Sequence, residues 1–379
     1  MKAPLLLVFV NLYLFGYGQS AYKIAITQRV FDNLVLAYAN SKTPPDLKII
    51  PLQSNKQVIA NYINDKAKYV IQIDEKLIDL CLGMGKDSIE SLAIIISHEL
   101  AHHYNNHGWC SDFAFAISKK NNNLALKLKN VTKENKLEKE SLADNHSLFY
   151  AAVAGYHTFD LYSTLINKVY SAYQLSHAIK GYPTLNERKA IAKEAGRFAK
   201  QLYAYFKDGI QAINDEQYEK AIDNFNKANS HIPFRETYNN LGVAKVRMAL
   251  MMKPVTIEEY EHPQRFLYPL EVDNNSRLNK DNTRGEEEDK SLKMTELLKE
   301  AQRDFQEAIR IDPAYLKGYI NLACVYDLLG NPSAAIGKIK ELPLNDQNSL
   351  EAKRILAIAY YHNDEVKKAE GIWNILKMN

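Results

Sequence analysis

Ser97-His98-Glu99-Leu100-Ala101-His102-His103 closes an apolar run that begins at Ile89. The run is continuous enough to read as a helix. Residues four apart on a helix share a face, so His98 and His102 can point at one metal ion, with Glu99 one step round. In zinc hydrolases with this His-Glu-x-x-His spacing, two imidazoles hold Zn²⁺ and the carboxylate takes a proton from the attacking water. The same spacing also arises by chance where two His sit at a polar seam. The apolar surroundings favour the metal, because two His and a Glu inside such a helix are costly unless something satisfies them.

The rest of the composition sets bounds. At 379 residues the chain is long enough for two domains. Its 46% hydrophobic and 25% charged content is that of a globular protein. A formal net charge of +3, from 48 Lys+Arg against 45 Asp+Glu, argues against a nucleic-acid or anionic-membrane partner. The three cysteines, Cys81, Cys110 and Cys324, fit no cysteine metal site and cannot form a complete disulfide framework. Met1 to Gly18 reads as a secretory leader, with Lys2, an apolar Leu5–Phe15 core, and Gly16 and Gly18 before the cut. An uncleaved N-terminal anchor is the alternative. No other stretch is apolar enough to span a membrane, so no stable membrane span is expected in the mature chain.

Outward from the motif, Ala21 to Asn40 reads as a helix with Ile24, Val30, Phe31, Leu34, Val35 and Tyr38 on one face, stopped by Pro44-Pro45. Leu47–Pro51 and Tyr69–Ile73 are strand candidates. The second is expected at a sheet edge, where an extended peptide could pair with it, although an ordinary buried strand fits as well. Asp74–Cys81 reads as a short helix broken by Gly83 and Gly85. Asp87-Ser88 then caps the motif helix, which ends at Gly108. His107 is too far along to ligate with His98 and His102 and takes a supporting role. His103 is expected to point away and be exposed. Phe113–Leu128 reads as a helix, Asn130–Lys136 as a loop, and Glu138 onward as a helix through Gly155. A catalytic zinc needs a third protein ligand. Glu140 is the candidate and Glu138 the alternative. Asp144, one turn on, can accept from the outer nitrogen of a ligand His.

His98-Glu99-Leu100-Ala101-His102 with His107, followed by Glu140-Ser141-Leu142-Ala143-Asp144, resembles the HtpX/BepA-type gluzincin metallopeptidases of the Ste-type prenyl-protease superfamily. The resemblance covers roughly residues 24 to 195. It implies a zincin-like α+β domain, His98, His102 and Glu140 on one Zn²⁺, and Glu99 as catalytic base. The family's later His-Pro-x-x-x-x-Arg element appears here as Tyr182-Pro183 through Arg188, with Tyr in place of His. Tyr182 could block the metal, donate a hydrogen bond to the oxyanion, or simply pack. Arg188 is expected to pair with a buried carboxylate such as Asp144.

From Phe198 the pattern changes. Ala221, Phe225, Ala228 and Pro233 recur at the same offsets as Ala301, Phe305, Ala308 and Pro313. Tyr205, Gly209 and Tyr218 belong to the first set, and Tyr238, Leu241 and Gly242 to the second. A third carries Tyr319, Leu322, Ala323, Tyr326, Gly330 and Ala335, and a fourth Leu356, Ala357, Tyr360, Ala369 and Trp373. Small residues at such positions, on a period of about 34, mark tetratricopeptide repeats. The second repeat is split by residues 253–294, which read as a mobile insertion, although the aromatics between Tyr260 and Tyr268 could dock.

The sequence thus predicts a mostly α chain: leader 1–18, a zincin-like metallopeptidase domain 19–197, and an α-solenoid of about four tetratricopeptide repeats over 198–379. The expected activity is zinc-dependent cleavage of protein or peptide substrates, with one Zn²⁺ per chain and a protein partner on the repeats. The resemblance further implies a periplasmic location, envelope protein quality control and peripheral association with a membrane assembly machine. The alternative is a repeat-based chaperone or adaptor with a latent or inactive peptidase site.

Overall fold

The computed structural model describes residues 4–38, 42–51, 59–65, 68–107, 133–177, 184–274 and 291–377; side chains are described from 21, 138 and 293 onward in the helices that start at Pro4, Lys133 and Ser291. The chain is mostly helical, with one small sheet. It divides into two compact units, 1–38 with 42–201 and 39–41 with 202–379. No described helix is long and apolar enough to cross a membrane. Of the expected leader, residues 1–3 and every side chain to 20 lie outside the described residues, as do Phe113–Leu128, Cys110, Gly108 and Tyr182.

In the first unit α1 (Pro4–Tyr38) precedes a three-stranded sheet of β1 (Asp46–Ile50), β2 (Ala60–Asp65) and β3 (Lys68–Asp74). The strand order is β1-β3-β2, with β3 parallel to β1 and antiparallel to β2. Tyr69–Ile73 is therefore the central strand and not the edge. Both its flanks are hydrogen-bonded, and Ile71 and Ile73 are fully buried. The strand missing from the sequence reading, β2, has little apolar alternation: Asn61, Asn64 and Asp65 surround Tyr62 and Ile63.

Asp74 caps α2 (Glu75–Leu82) through a hydrogen bond from the Lys76 amide. A 3₁₀ turn at Gly85–Asp87 leads into α3 (Ser88–Tyr104). Asp87 occupies the cap position, but its side chain makes no capping bond. Its carbonyl instead accepts from Ser91 Oγ at 2.7 Å. Every α3 residue from Ser91 to His103 is buried, so this is a central helix covered on all sides rather than an amphipathic one. α1, α2 and α4 (Lys133–Val153) pack on it. α4 starts at Lys133, inside the stretch expected to be a loop. α5 (Tyr162–Ala172) follows, then α6 (Leu185–Asn214). In α1, Val30, Phe31, Leu34 and Tyr38 are buried as the periodicity predicts. Ile24 is 54% exposed, and the inward position falls to Ile26 and Thr27.

The second unit takes the end of α6 and continues through α7 (Tyr218–Asn229), α8 (Arg235–Leu250), α9 (Ile257–Glu261), α10 (Ser291–Ile311), α11 (Leu316–Leu328), α12 (Pro332–Lys340), α13 (Leu344–Gln347), α14 (Leu350–His362) and α15 (Val366–Ile375). Neighbours in the chain pack on one another: α7 on α8, α8 on α10, α10 on α11, α11 on α12 and α14 on α15. Two crossings use the same device. Gly209 faces the Phe225 ring, and Gly242 faces the Phe305 ring. A Cβ at either glycine would stand within 2.7 Å of that ring, so only glycine lets the helices approach this closely.

In residues 253–274 the docking expected of the aromatics before residue 269 is what the chain shows, and not a mobile loop. Thr256 closes a capping box with Glu259 at the start of α9. Phe266 and Tyr268 then enter a core cluster with Ile320, Ile358 and Trp373. Apolar and aromatic side chains within this otherwise polar insertion give it something to bury. Residues 275–290 lie outside the described residues, and 291–294 belong to α10.

Candidate metal centre

The site stands where α3 and α4 meet. Small residues let these helices approach: Ala101 and Ala143 are both fully buried. Ser97 Oγ donates to the Ser147 carbonyl at 2.8 Å, and Tyr38 Oη donates to the Ser97 carbonyl at 2.9 Å. These bonds hold α1, α3 and α4 in a register that sets His98 and His102 opposite Glu140 and Asp144.

His98, His102 and Glu140 converge. His98 Nε2 lies 2.9 Å from His102 Nε2 and 3.3 Å from Glu140 Oε2, and His102 Nε2 lies 3.8 Å from Glu140 Oε1. Tetrahedral ligands at about 2.0–2.1 Å from zinc sit about 3.3 Å from one another, so this spacing suits a small cation. All three are buried, Glu140 at 2% exposure.

The surrounding hydrogen bonds aim the lone pairs inward. Asp144 Oδ1 lies 2.9 Å from His98 Nδ1, and as an acceptor it draws the ring proton to that nitrogen. The Nε2 lone pair of His98 is thereby left facing His102 and Glu140. His102 Nδ1 lies 2.9 Å from His107 Nδ1, and a proton on the His102 side likewise frees its Nε2. Three acceptor atoms then face one point, an arrangement that calls for positive charge.

Arg188, from α6, is 1% exposed. Its guanidinium lies 3.3 Å from Asp144 Oδ2 and 3.6 Å from Glu140 Oε2. Among the described residues this leaves two buried carboxylates against one buried cation, with Glu99 buried beside His98 in the chain. Burial opposes the charge on Glu140, but the neighbouring His98, His102 and Arg188 outweigh it and hold the carboxyl well below its usual range. Burial pushes the His102 imidazolium well below its usual pKa, aided by His98, His107 and Arg188 and opposed by Glu140. A neutral imidazole and an ionised carboxylate are the forms that bind metal.

His107 reaches the site by a turn and not along a helix. α3 ends at Tyr104; Asn106 takes a left-handed φ of 56°. The His107 amide then returns to the His102 carbonyl and the Asn106 amide to that of His103, a Schellman closure. The closure folds the His107 ring back over His102. Burial lowers the His107 pKa to about 4, helped by Lys139.

His103 is buried, not exposed. Its Nε2 donates to the Thr43 carbonyl (2.9 Å), so its Nδ1 accepts from Tyr62 Oη (3.1 Å). α3 has no solvent face, and the direction away from the ligands runs into β2. Glu138, the alternative ligand, is exposed. Tyr162 escaped the sequence reading: its hydroxyl lies 3.4 Å from His98 Nδ1 and accepts from Arg188 Nη2 at 3.3 Å. Nothing in its spacing marks it among 24 tyrosines.

No family model and no curated protein matches this chain.

Proposed function

We propose that the first unit is a zinc metalloendopeptidase of the gluzincin type, with His98, His102 and Glu140 as ligands. The convergence of those three buried side chains is the observation that carries the reading. When bound, zinc would supply a Lewis acid and lower the pKa of water. Glu99 serves as base and then acid, taking a proton from the attacking water and passing it to the leaving amine. Asp144 fixes the His98 tautomer, and Arg188 offsets one of the two negative charges of Asp144 and Glu140, leaving the other for the metal. Tyr182, in the place of the family's His, could cover the site, donate to the developing oxyanion, or simply pack.

The second unit, on this reading, is a tetratricopeptide array that recruits protein clients. The paired Gly209–Phe225 and Gly242–Phe305 crossings support it. An exported chain acting in envelope protein quality control is the setting that fits both parts.

A second reading is supported by the burial of the site. His98, Glu99 and His102 have at most 1% exposure. A latent centre in a repeat-based adaptor would look the same. Glu99→Gln separates the two. Under the first reading it abolishes cleavage of an unfolded protein and leaves zinc stoichiometry intact. Unchanged biological activity in that variant would favour the adaptor.

A further inference from the structure

Between Phe266 and Asp273 the chain crosses helices α8 and α11 as a strap: Phe266 and Tyr268 are anchored in the core, the Leu270 amide closes a tight turn on the Tyr268 carbonyl (2.9 Å), and residues 271–273 are held by backbone hydrogen bonds. Asn321 Oδ1 accepts from the Glu271 amide (2.8 Å), and Asn321 Nδ2 donates to the Glu271 carbonyl (3.0 Å). Asn240 repeats this at Asp273: Oδ1 accepts from its amide (2.7 Å) and Nδ2 donates to its carbonyl (2.8 Å). Asn239 Nδ2 adds a bond to the Glu271 carbonyl at 2.8 Å, and its Oδ1 accepts from Asn321 Nδ2, also at 2.8 Å. All three asparagines are fully buried.

Residues 271 and 273 are two apart, the spacing at which an extended chain turns its amide and carbonyl to the same side. Each paired amide satisfies one residue's donor and acceptor together, as a neighbouring strand would. Such contacts read an extended backbone of any sequence and leave selection to a few side chains. Here those are Tyr268, whose hydroxyl donates to Asp327 (2.6 Å), and Asp273, which accepts from Tyr315 Oη (2.7 Å) with Lys317 Nζ 3.7 Å away.

The strap does not fill the space beside it. A groove of about 990 Å³ is lined by Phe266 to Glu271 together with basic Arg247, Lys253 and Arg354 and acidic Glu216, Glu259 and Glu351.

We infer that the asparagine-lined face of α8 and α11 is a peptide-recognition groove occupied in cis by this chain's own residues 266–273. The partner it fits is a peptide of another polypeptide, carrying a tyrosine five residues before an aspartate. The strap competes with that partner, so recruitment requires it to lift. This rests on the recruiting role proposed for the second unit and is independent of the metal.

The test uses the full-length chain and a labelled peptide of sequence Phe266–Asn274. In cis the strap has an effective concentration on the order of millimolar, so the wild type takes up added peptide weakly. Glu271→Pro with Asp273→Pro removes the two strap amides that Asn321 and Asn240 accept, while the strap stays extended. The peptide is expected to bind this variant at least tenfold more tightly than the wild type, and adding Asn321→Ala should abolish the gain. Equal binding to both proteins, or none to a folded loosened variant, would overturn the inference. Hydrogen exchange on the wild type needs no variant: the Glu271 and Asp273 amides should exchange at least tenfold faster than the α8 and α11 interiors. Exchange of all of them only by global unfolding would make the strap a fixed part of the fold. Client binding that ignores the strap variants would leave the recruiting role standing and overturn the strap's part in it.

Discussion

Asp144→Asn changes one atom type at the back of the metal centre. The carboxylate accepts on two sides, from His98 Nδ1 at 2.9 Å and from the Arg188 guanidinium at 3.3 Å, and it is fully buried. An asparagine fits the space but has one acceptor oxygen and one donor nitrogen. Turned either way, it sets an NH₂ against a donor, the His98 ring N–H or the Arg188 N–H. If the ring gives way, the His98 tautomer is no longer fixed and its Nε2 is no longer reliably a lone pair. If Arg188 gives way, a buried guanidinium loses a charged partner and keeps Glu140 at 3.6 Å. Loss of a carboxylate behind a metal-bound His costs about 10–100-fold in affinity, or about 1.4–2.7 kcal/mol. The metal-free fold should lose a further ~1–3 kcal/mol for the unmet hydrogen bond. Zinc affinity, measured by competition with a chromophoric chelator at fixed pH, should fall within that span while circular dichroism reports a folded chain. Affinity within twofold of wild type in a folded variant would refute the assigned role of Asp144.

Other consequences lie in the second unit. Gly242→Ala would put a methyl 2.7 Å from the Phe305 ring, and overpacking of this kind should cost about 1–3 kcal/mol in denaturant melts. Gly337→Ala, in α12 with open space around its Cβ, should instead stabilise by about 0.5–1 kcal/mol. Glu236 is buried, and that burial raises its pKa to about 8, against the pull of Arg235 and with added repulsion from Asp273. Because the folded value exceeds the unfolded one, its contribution is complete below about pH 4.5 and is lost as pH rises through about 8. Stability should therefore fall between those values in the wild type and fall less in Glu236→Gln.

Much of the site was legible because its chemistry forces spacing. Two imidazoles one helical turn apart, and a Glu-x-x-x-Asp on a later helix, can be read without a fold. Helical content was legible through periodicity, as at Val30, Phe31 and Leu34. What escaped depends on tertiary covering. His103 looked solvent-facing because a helix wheel cannot say that all sides of α3 are packed. The place of β3 in the sheet depended on β2, whose asparagines hide its alternation. His107 needed the left-handed turn at Asn106, and Tyr162 approaches from a helix with no motif of its own. Docking of the insertion was legible in its aromatics, of which Phe266 and Tyr268 enter the core; the asparagines on distant helices that hold Glu271 and Asp273 were not.

The central claim is that His98, His102 and Glu140 hold one metal ion, and the zinc content of the purified full-length chain tests it most directly. The account predicts about one zinc per chain, lost in His98→Ala while Glu99→Gln retains it. Absence of zinc from the folded wild-type protein after the metal has been supplied would contradict it.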